Sequence, residues 1–236
     1  MTAAVLFDLG NTLAAYYHAS EFRPILTEAI GAVRDELSRR GLCAMSLESA
    51  MAAAVTENRE APDYRFTPMT ERFERIFQVS LTNNPSLAAS ACERFLAPIF
   101  AVARVYDDTL PTLAQLREAG VRTAIVSNAP WGSPPELWRR ELRRLGLSDA
   151  VDAVVLCGDV GWRKPAPDIF HNAVGKLGCE PAECMFVGDD LRWDIEGSAA
   201  VGMRPMLIDR DGRHPEYKGE RVAELRGIPA VLKAGA

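Results

Sequence analysis

The sequence predicts an α/β fold, a doubly wound parallel sheet with an inserted all-helical block, and three observations carry that expectation. Short apolar runs without polar alternation recur along the chain, the pattern of strands covered on both faces. Helix-like segments separate most of these runs. Between Ala15 and about Arg104 the runs stop, and apolar residues recur at helical spacing instead.

The first run, residues 3–7, stops at Asp8, Leu9, Gly10 and Asn11, where a turn must follow. Further runs at 121–126, 151–156, 184–187 and 204–208 supply the remaining strands. In the insertion, Ile25, Ala29, Val33 and Leu37 make one helical stripe, and Leu47, Met51 and Val55 a second. Phe73, Ile76, Phe77 and Leu81 make a third, opening at Thr67-Pro68, where a capping hydroxyl precedes a proline suited to the first helical position. Leu87, Phe95, Leu96 and Ile99 make the fourth. The expected division is a core from residues 1–14 and 105–236 with a helical cap from residues 15–104. No internal repeat is visible, and the last dozen residues, ending in Ala-Gly-Ala, are expected to fray.

A chain of 236 residues is long enough to bury a substantial core, and 48% hydrophobic with 25% charged residues excludes disordered and fibrous classes. A net charge of -5 argues against a nucleic-acid partner, which needs a basic face. No apolar run approaches the roughly 18 residues of a membrane span, and Asp8 interrupts the stretch where a signal peptide would be apolar. Cys43, Cys92, Cys157, Cys179 and Cys184 are odd in number and form no CxxC pair, as expected of reduced thiols in a cytoplasmic protein rather than a zinc site. The expected partner is a small molecule, with no nucleic acid and no membrane, and the expected state is a monomer or homodimer.

Four polar clusters follow, or lie just beyond, the predicted strands: Asp8 with Gly10 and Thr12, then Ser127-Asn128, then Lys164, then Asp189-Asp190 with Asp194. In an open parallel sheet the carboxyl ends of the strands share one crevice, so these clusters can meet. Each has a plainer reading on its own. Asp8 and Ser127 suit turns, Lys164 suits a solvated loop, and Asp189 or Asp190 suits a helix cap.

Taken together and in order, FDLGNTL, IVSN, RKPAPDIF and VGDDLRWDIEGS resemble the four motifs of the haloacid dehalogenase superfamily. The helical block between the first two resembles that family's C1 type of cap. The resemblance implies a Rossmann-like core and an aspartate nucleophile, usually acting on phosphate esters. Asp8 is then the nucleophile, since a carboxylate is ionised at neutral pH and needs no base to attack phosphorus through an aspartyl-phosphate. Asp8, the Gly10 carbonyl and Asp189 are the expected Mg²⁺ ligands, because a hard cation takes oxygen donors and screens the substrate phosphate from the acidic site. Ser127 and Lys164, with Asn128, are expected to grip the transferring phosphoryl group. Asp190 and Asp194 take supporting roles, and Asp190 also suits a cap.

One position departs from the family pattern. Most phosphatases of the family carry a second Asp two residues after the nucleophile, which protonates the leaving oxygen and then activates water; here that position is Gly10. General acid/base catalysis is worth about 10² to 10⁴ in rate, so the loss must be compensated or tolerated. Either His18 or Glu21 substitutes, or the substrate has a leaving group that needs little protonation, such as an anomeric sugar phosphate, an acyl phosphate or an aryl phosphate. Tyr16, Tyr17, His18 and Trp131 are the expected specificity residues, whereas Arg139-Arg140 and Arg143-Arg144 read as a solvated helix face. Two alternatives stand beside the phosphatase: a carbon-halogen hydrolase, for which Asp189-Asp190 would have no purpose, and a phosphate-binding or interaction protein that has lost catalysis. No GxSxG, GxxxxGK[ST] or HExxH motif points elsewhere.

Overall fold

The computed structural model describes residues 2–17, 19–59 and 61–234. In chain order, β1 (Ala4–Phe7) and the short β2 (Ala14–Ala15) lead into four helices, α1 (Phe22–Arg39), α2 (Leu47–Glu57), α3 (Met69–Phe77) and α4 (Pro85–Ala101). Then come β3 (Arg104–Val105), α5 (Thr109–Glu118), β4 (Arg122–Ser127), α6 (Pro135–Arg144), β5 (Ala153–Leu156), α7 (Cys157–Val160) and α8 (Pro167–Leu177). The chain continues through β6 (Cys184–Gly188), a wide helical turn at Leu191–Glu196, α9 (Gly197–Ala200), β7 (Arg204–Ile208), β8 (Arg221–Val222) and α10 (Ile228–Ala234).

Six strands form one parallel sheet in the order β5-β4-β1-β6-β7-β8. Every residue of β1 is buried, and it pairs with β4 on one side and β6 on the other, which explains its unbroken apolar run. Parallel pairing requires crossover connections, and all but the one from β7 to β8 carry helices, which cover the sheet and complete the predicted doubly wound α/β core. The outcome that matters for function is that β1, β4 and β6 lie side by side and bring Asp8, Ser127 and Asp189 to, or one residue past, their carboxyl ends.

The insertion contains four helices, with α1 packed chiefly on α4. Phe73 of α3 lies 5.5 Å from Phe95 of α4, whose ring is in turn 5.3 Å from Trp131, so one aromatic line runs from the insertion to the loop after β4. An antiparallel ribbon of β2 and β3 joins the two ends of the insertion, with Ala15 opposite Arg104.

Several expectations need correction. On α2 the buried residues are Ala50 and Ala54, while Val55 is 64% exposed and Leu47 and Met51 are half-buried. α2 packs on both α1 and α3, and small side chains allow that close approach. The third helix starts at Met69, one residue later than Thr67-Pro68 suggests, and Pro68 rather than Thr67 stands at the cap position, without a side-chain hydrogen bond. The loop before it is pinned by a bridge of Arg65 to Trp162: Phe66 N donates to Gly161 O at 2.9 Å, and Arg163 N to Tyr64 O at 2.9 Å. Gly132 closes over the same loop, since a Cβ there would stand 1.7 Å from Thr67 O. The C-terminal segment does not fray through 225–234, because Leu225 and Ile228 are fully buried and Leu225 N donates to Asp108 Oδ2 at 2.7 Å. Among the described residues, no helix is long and apolar enough to cross a membrane. All five cysteines are free.

Candidate active site

The turn after β1 reverses within a few residues: Leu13 N and Ala14 N both donate to Leu9 O at 3.0 Å, and Asn11 takes a left-handed φ of 55°. It holds Asp8 at the strand end, where Asp8 N donates to Val187 O of β6 at 2.9 Å. Neighbouring strands thereby present their terminal residues to one crevice.

Lys164 is the centre of that crevice. Its side chain is 2% exposed, and Nζ donates to Asp8 Oδ1 at 2.5 Å and to Asp194 Oδ1 at 2.7 Å. A buried ammonium is tolerated only when paired in this way. Asn128 fixes the lysine backbone from the next strand end: Lys164 N donates to Asn128 Oδ1 at 2.8 Å, and Asn128 Nδ2 donates to Lys164 O at 3.0 Å. Asn128 is therefore a positioning group for Lys164. Ser127 is buried and lines the same cavity as Asp8, about 200 Å³ in volume.

Asp194 reaches the site because Gly188 leaves it room. A Cβ on Gly188 would stand 2.3 Å from Asp194 Oδ2, so only glycine ends β6 without displacing that carboxylate. Asp190 N donates to Asp194 Oδ2 at 3.1 Å. The Asp190 side chain instead caps the following helical turn, accepting from Arg192 N at 2.9 Å and Trp193 N at 2.8 Å.

Oxygens of Asp8, Asp189 and Asp194 all lie within 4.8 Å of one another. This donor set suits a hard divalent cation, which takes carboxylate oxygens and keeps waters alongside. The electrostatics point the same way: three carboxylates face one buried ammonium and the half-exposed Arg213, leaving a net negative charge. Burial pushes the Asp8 carboxyl up to about 7, with Asp194 and Asp189 adding to the effect and Lys164 opposing it. Burial likewise raises Asp194. For Lys164, burial alone would lower the pKa, but Asp194 and Asp8 outweigh it and hold the ammonium above its ordinary value.

Of the expected specificity residues, Tyr16 and Tyr17 line the Asp8 cavity, and Trp131 does not. Its backbone takes a φ of 58° and its ring packs against Phe95, so it serves the apolar core. His18 lies outside the described residues, and Glu21 lines a neighbouring cavity rather than that of Asp8. The arginines of α6 lie on an exposed helix face, as expected, with Arg139 partly and Arg140, Arg143 and Arg144 largely in solvent, and three of them pair there with acids: Arg139 with Asp159 at 2.5 Å, Arg140 with Glu93 at 2.9 Å and Arg144 with Glu141 at 2.6 Å.

The sequence reading missed two site residues. Trp138 on α6 helps line the Asp8 cavity, and Arg213, between β7 and β8, donates from Nη2 to Asp189 Oδ2 at 2.8 Å. The signal for Arg213 was present, since the charged stretch Asp209, Arg210, Asp211, Gly212, Arg213 follows the carboxyl end of another core strand.

The sequence model of the haloacid dehalogenase-like hydrolases matches residues 2–202. Glyceraldehyde 3-phosphate phosphatase of Methanopyrus kandleri is 30% identical, covering 98% of this chain and 99% of the relative. The crystal structure of a HAD phosphatase from Thermococcus onnurineus superposes with a TM-score of 0.70 at 29% identity, covering 97% of each chain. That of a 2-haloacid dehalogenase from Pseudomonas syringae pv. tomato reaches 0.74 over the full length of both at 23% identity, a likeness of fold alone.

Proposed function

Since the chain belongs to the haloacid dehalogenase-like hydrolases, we propose that it hydrolyses a small phosphomonoester, with Asp8 as the nucleophile and Mg²⁺ as cofactor. The observation that carries this reading is the convergence of Asp8, Asp189 and Asp194 around Lys164. Residues 15–104 are the cap in this reading, and the two flanking segments are the catalytic core.

Asp8 attacks phosphorus, the bond from phosphorus to the leaving oxygen breaks, and its electron pair departs with that oxygen. Water then attacks the aspartyl-phosphate, releasing inorganic phosphate and restoring the carboxylate. Lys164 orients Asp8, lowers the electrostatic cost of bringing a phosphate to it, and is itself held by Asp194 and by the Asn128 clamp on its backbone. Ser127 offers a hydroxyl to a phosphoryl oxygen. Asp8, Asp189 and the Gly10 carbonyl would hold the cation, which supplies charge neutralisation for the phosphate and the carboxylates. No carboxylate stands at position 10 to protonate the leaving oxygen, so the reading favours leaving groups of low pKa.

The carboxylate cluster also favours phosphoryl transfer over halide displacement. Displacing halide from carbon gives three clustered carboxylates no purpose, whereas a phosphate dianion cannot approach them without a cation. Phosphatase-named relatives at about 30% identity over most of the chain support the same choice. The test is a panel of phosphomonoesters, from aryl phosphates through sugar 1-phosphates to sugar 6-phosphates, with wild type and Asp8→Asn, in Mg²⁺ or EDTA. Turnover that needs both Asp8 and Mg²⁺ is expected; turnover of a 2-haloacid in EDTA, with none on any ester, would overturn the reading.

A further inference from the structure

The Asp8 cavity, about 200 Å³ in volume, does not end at the carboxylates. A second cavity of about 450 Å³ adjoins the first, with Asn11, Tyr16 and Tyr17 forming part of the wall of both.

Three arginines line this second cavity, and they differ in how far they are committed. Arg210 is spent on structure: it makes two hydrogen bonds to Asp108, at 2.9 and 3.1 Å, donates to Thr12 O, and stacks 3.8 Å from the centre of the Tyr106 ring. Arg213 is paired with Asp189, with half of its side chain exposed. Arg104, exposed at the start of β3 in the ribbon that joins the insertion to the core, has no side-chain partner among the described residues. A guanidinium presents a planar fork of donors matched to carboxylate and phosphate oxygens. Glu21 and Asp211 line the cavity too, so it is not a diffuse positive field; an anion gains there only where a free guanidinium faces it.

We propose that this second cavity binds an anionic group, a carboxylate or a second phosphate, on the leaving portion of the substrate, and that Arg104 selects for it. The proposal rests on the phosphomonoester reading and names the substrate class within it. Asp8 breaks the ester in one cavity while Arg104 holds the other end in the next.

The experiment compares kcat/KM for three aryl esters, whose leaving groups need little protonation: phenyl phosphate, 3-carboxyphenyl phosphate and 1,3-phenylene bisphosphate. Wild type, Arg104→Met and Arg104→Glu are each assayed, with p-nitrophenyl phosphate testing the phosphatase reading separately. The expected wild-type preference for one anionic ester over phenyl phosphate is about tenfold to a hundredfold, the worth of a charge-assisted hydrogen bond. Which ester is preferred distinguishes carboxylate from phosphate. Arg104→Met should bring the ratio close to one, and Arg104→Glu should reverse it; a melting temperature close to wild type verifies the fold of each variant. Equal rates on all three esters, or a preference that survives Arg104→Met, would overturn the subsite while leaving the phosphatase standing. Absence of turnover on every ester, p-nitrophenyl phosphate included, would remove the phosphatase reading and the subsite with it.

Discussion

On the phosphatase reading the catalytic equipment is incomplete at Gly10, although the space for completing it exists. An added Cβ there meets nothing within 4 Å, so crowding does not explain the glycine. Gly10→Asp should therefore fold normally and raise kcat on esters with poor leaving groups, such as sugar 6-phosphates, by about 10²-fold, with little gain on aryl phosphates. No gain anywhere in the panel, with a native-like melting temperature, would mean that the missing acid does not limit the reaction. That Asp8, Ser127, Lys164 and Asp189 gather in one crevice was legible in the sequence, because each follows a recognisable strand or sits in a motif with fixed order. The Asp189 pairing of Arg213 and the inward turn of Trp131 were not, since both depend on loop conformation, which short-range patterning does not encode.

Among the elements, apolar periodicity located all five longer strands and the four inserted helices, because each buries a continuous run or stripe. It failed where burial does not follow size. On α2 the buried face belongs to Ala50 and Ala54, and the two residues of β8 are too few to make any pattern. It failed again at the C-terminus, where small and charged residues hide a docked segment. Leu225 anchors that segment, so Leu225→Ala should cost about 2–5 kcal/mol in denaturant unfolding, as for a buried leucine that leaves a cavity. Val55→Ala, at a position 64% exposed, should change stability by less than about 0.5 kcal/mol. Equal effects of the two would contradict the described docking of 225–234.

For the molecule as a whole, the carboxylate-rich crevice trades stability for function. The folded state raises the Asp8 carboxyl from 3.8 to about 7, so it holds that proton more tightly than the unfolded chain does. The corresponding stability is complete below the unfolded value and is lost as pH rises from about 4 to about 7. In EDTA, melting temperature should fall more steeply across that window for wild type than for Asp8→Asn, and Mg²⁺ should raise it near neutral pH by binding the folded state. Parallel pH profiles for the two proteins would show that Asp8 is not destabilised by its surroundings. The central claim is that Asp8 carries the phosphoryl group, and rapid acid quenching of the enzyme turning over a phosphomonoester in Mg²⁺, followed by peptide mass spectrometry, tests it most directly. A phosphorylated Asp8 peptide, cleaved by hydroxylamine and absent in EDTA and in Asp8→Asn, is the predicted result; undiminished turnover by Asp8→Asn, or the phosphoryl group on a different residue, would contradict it.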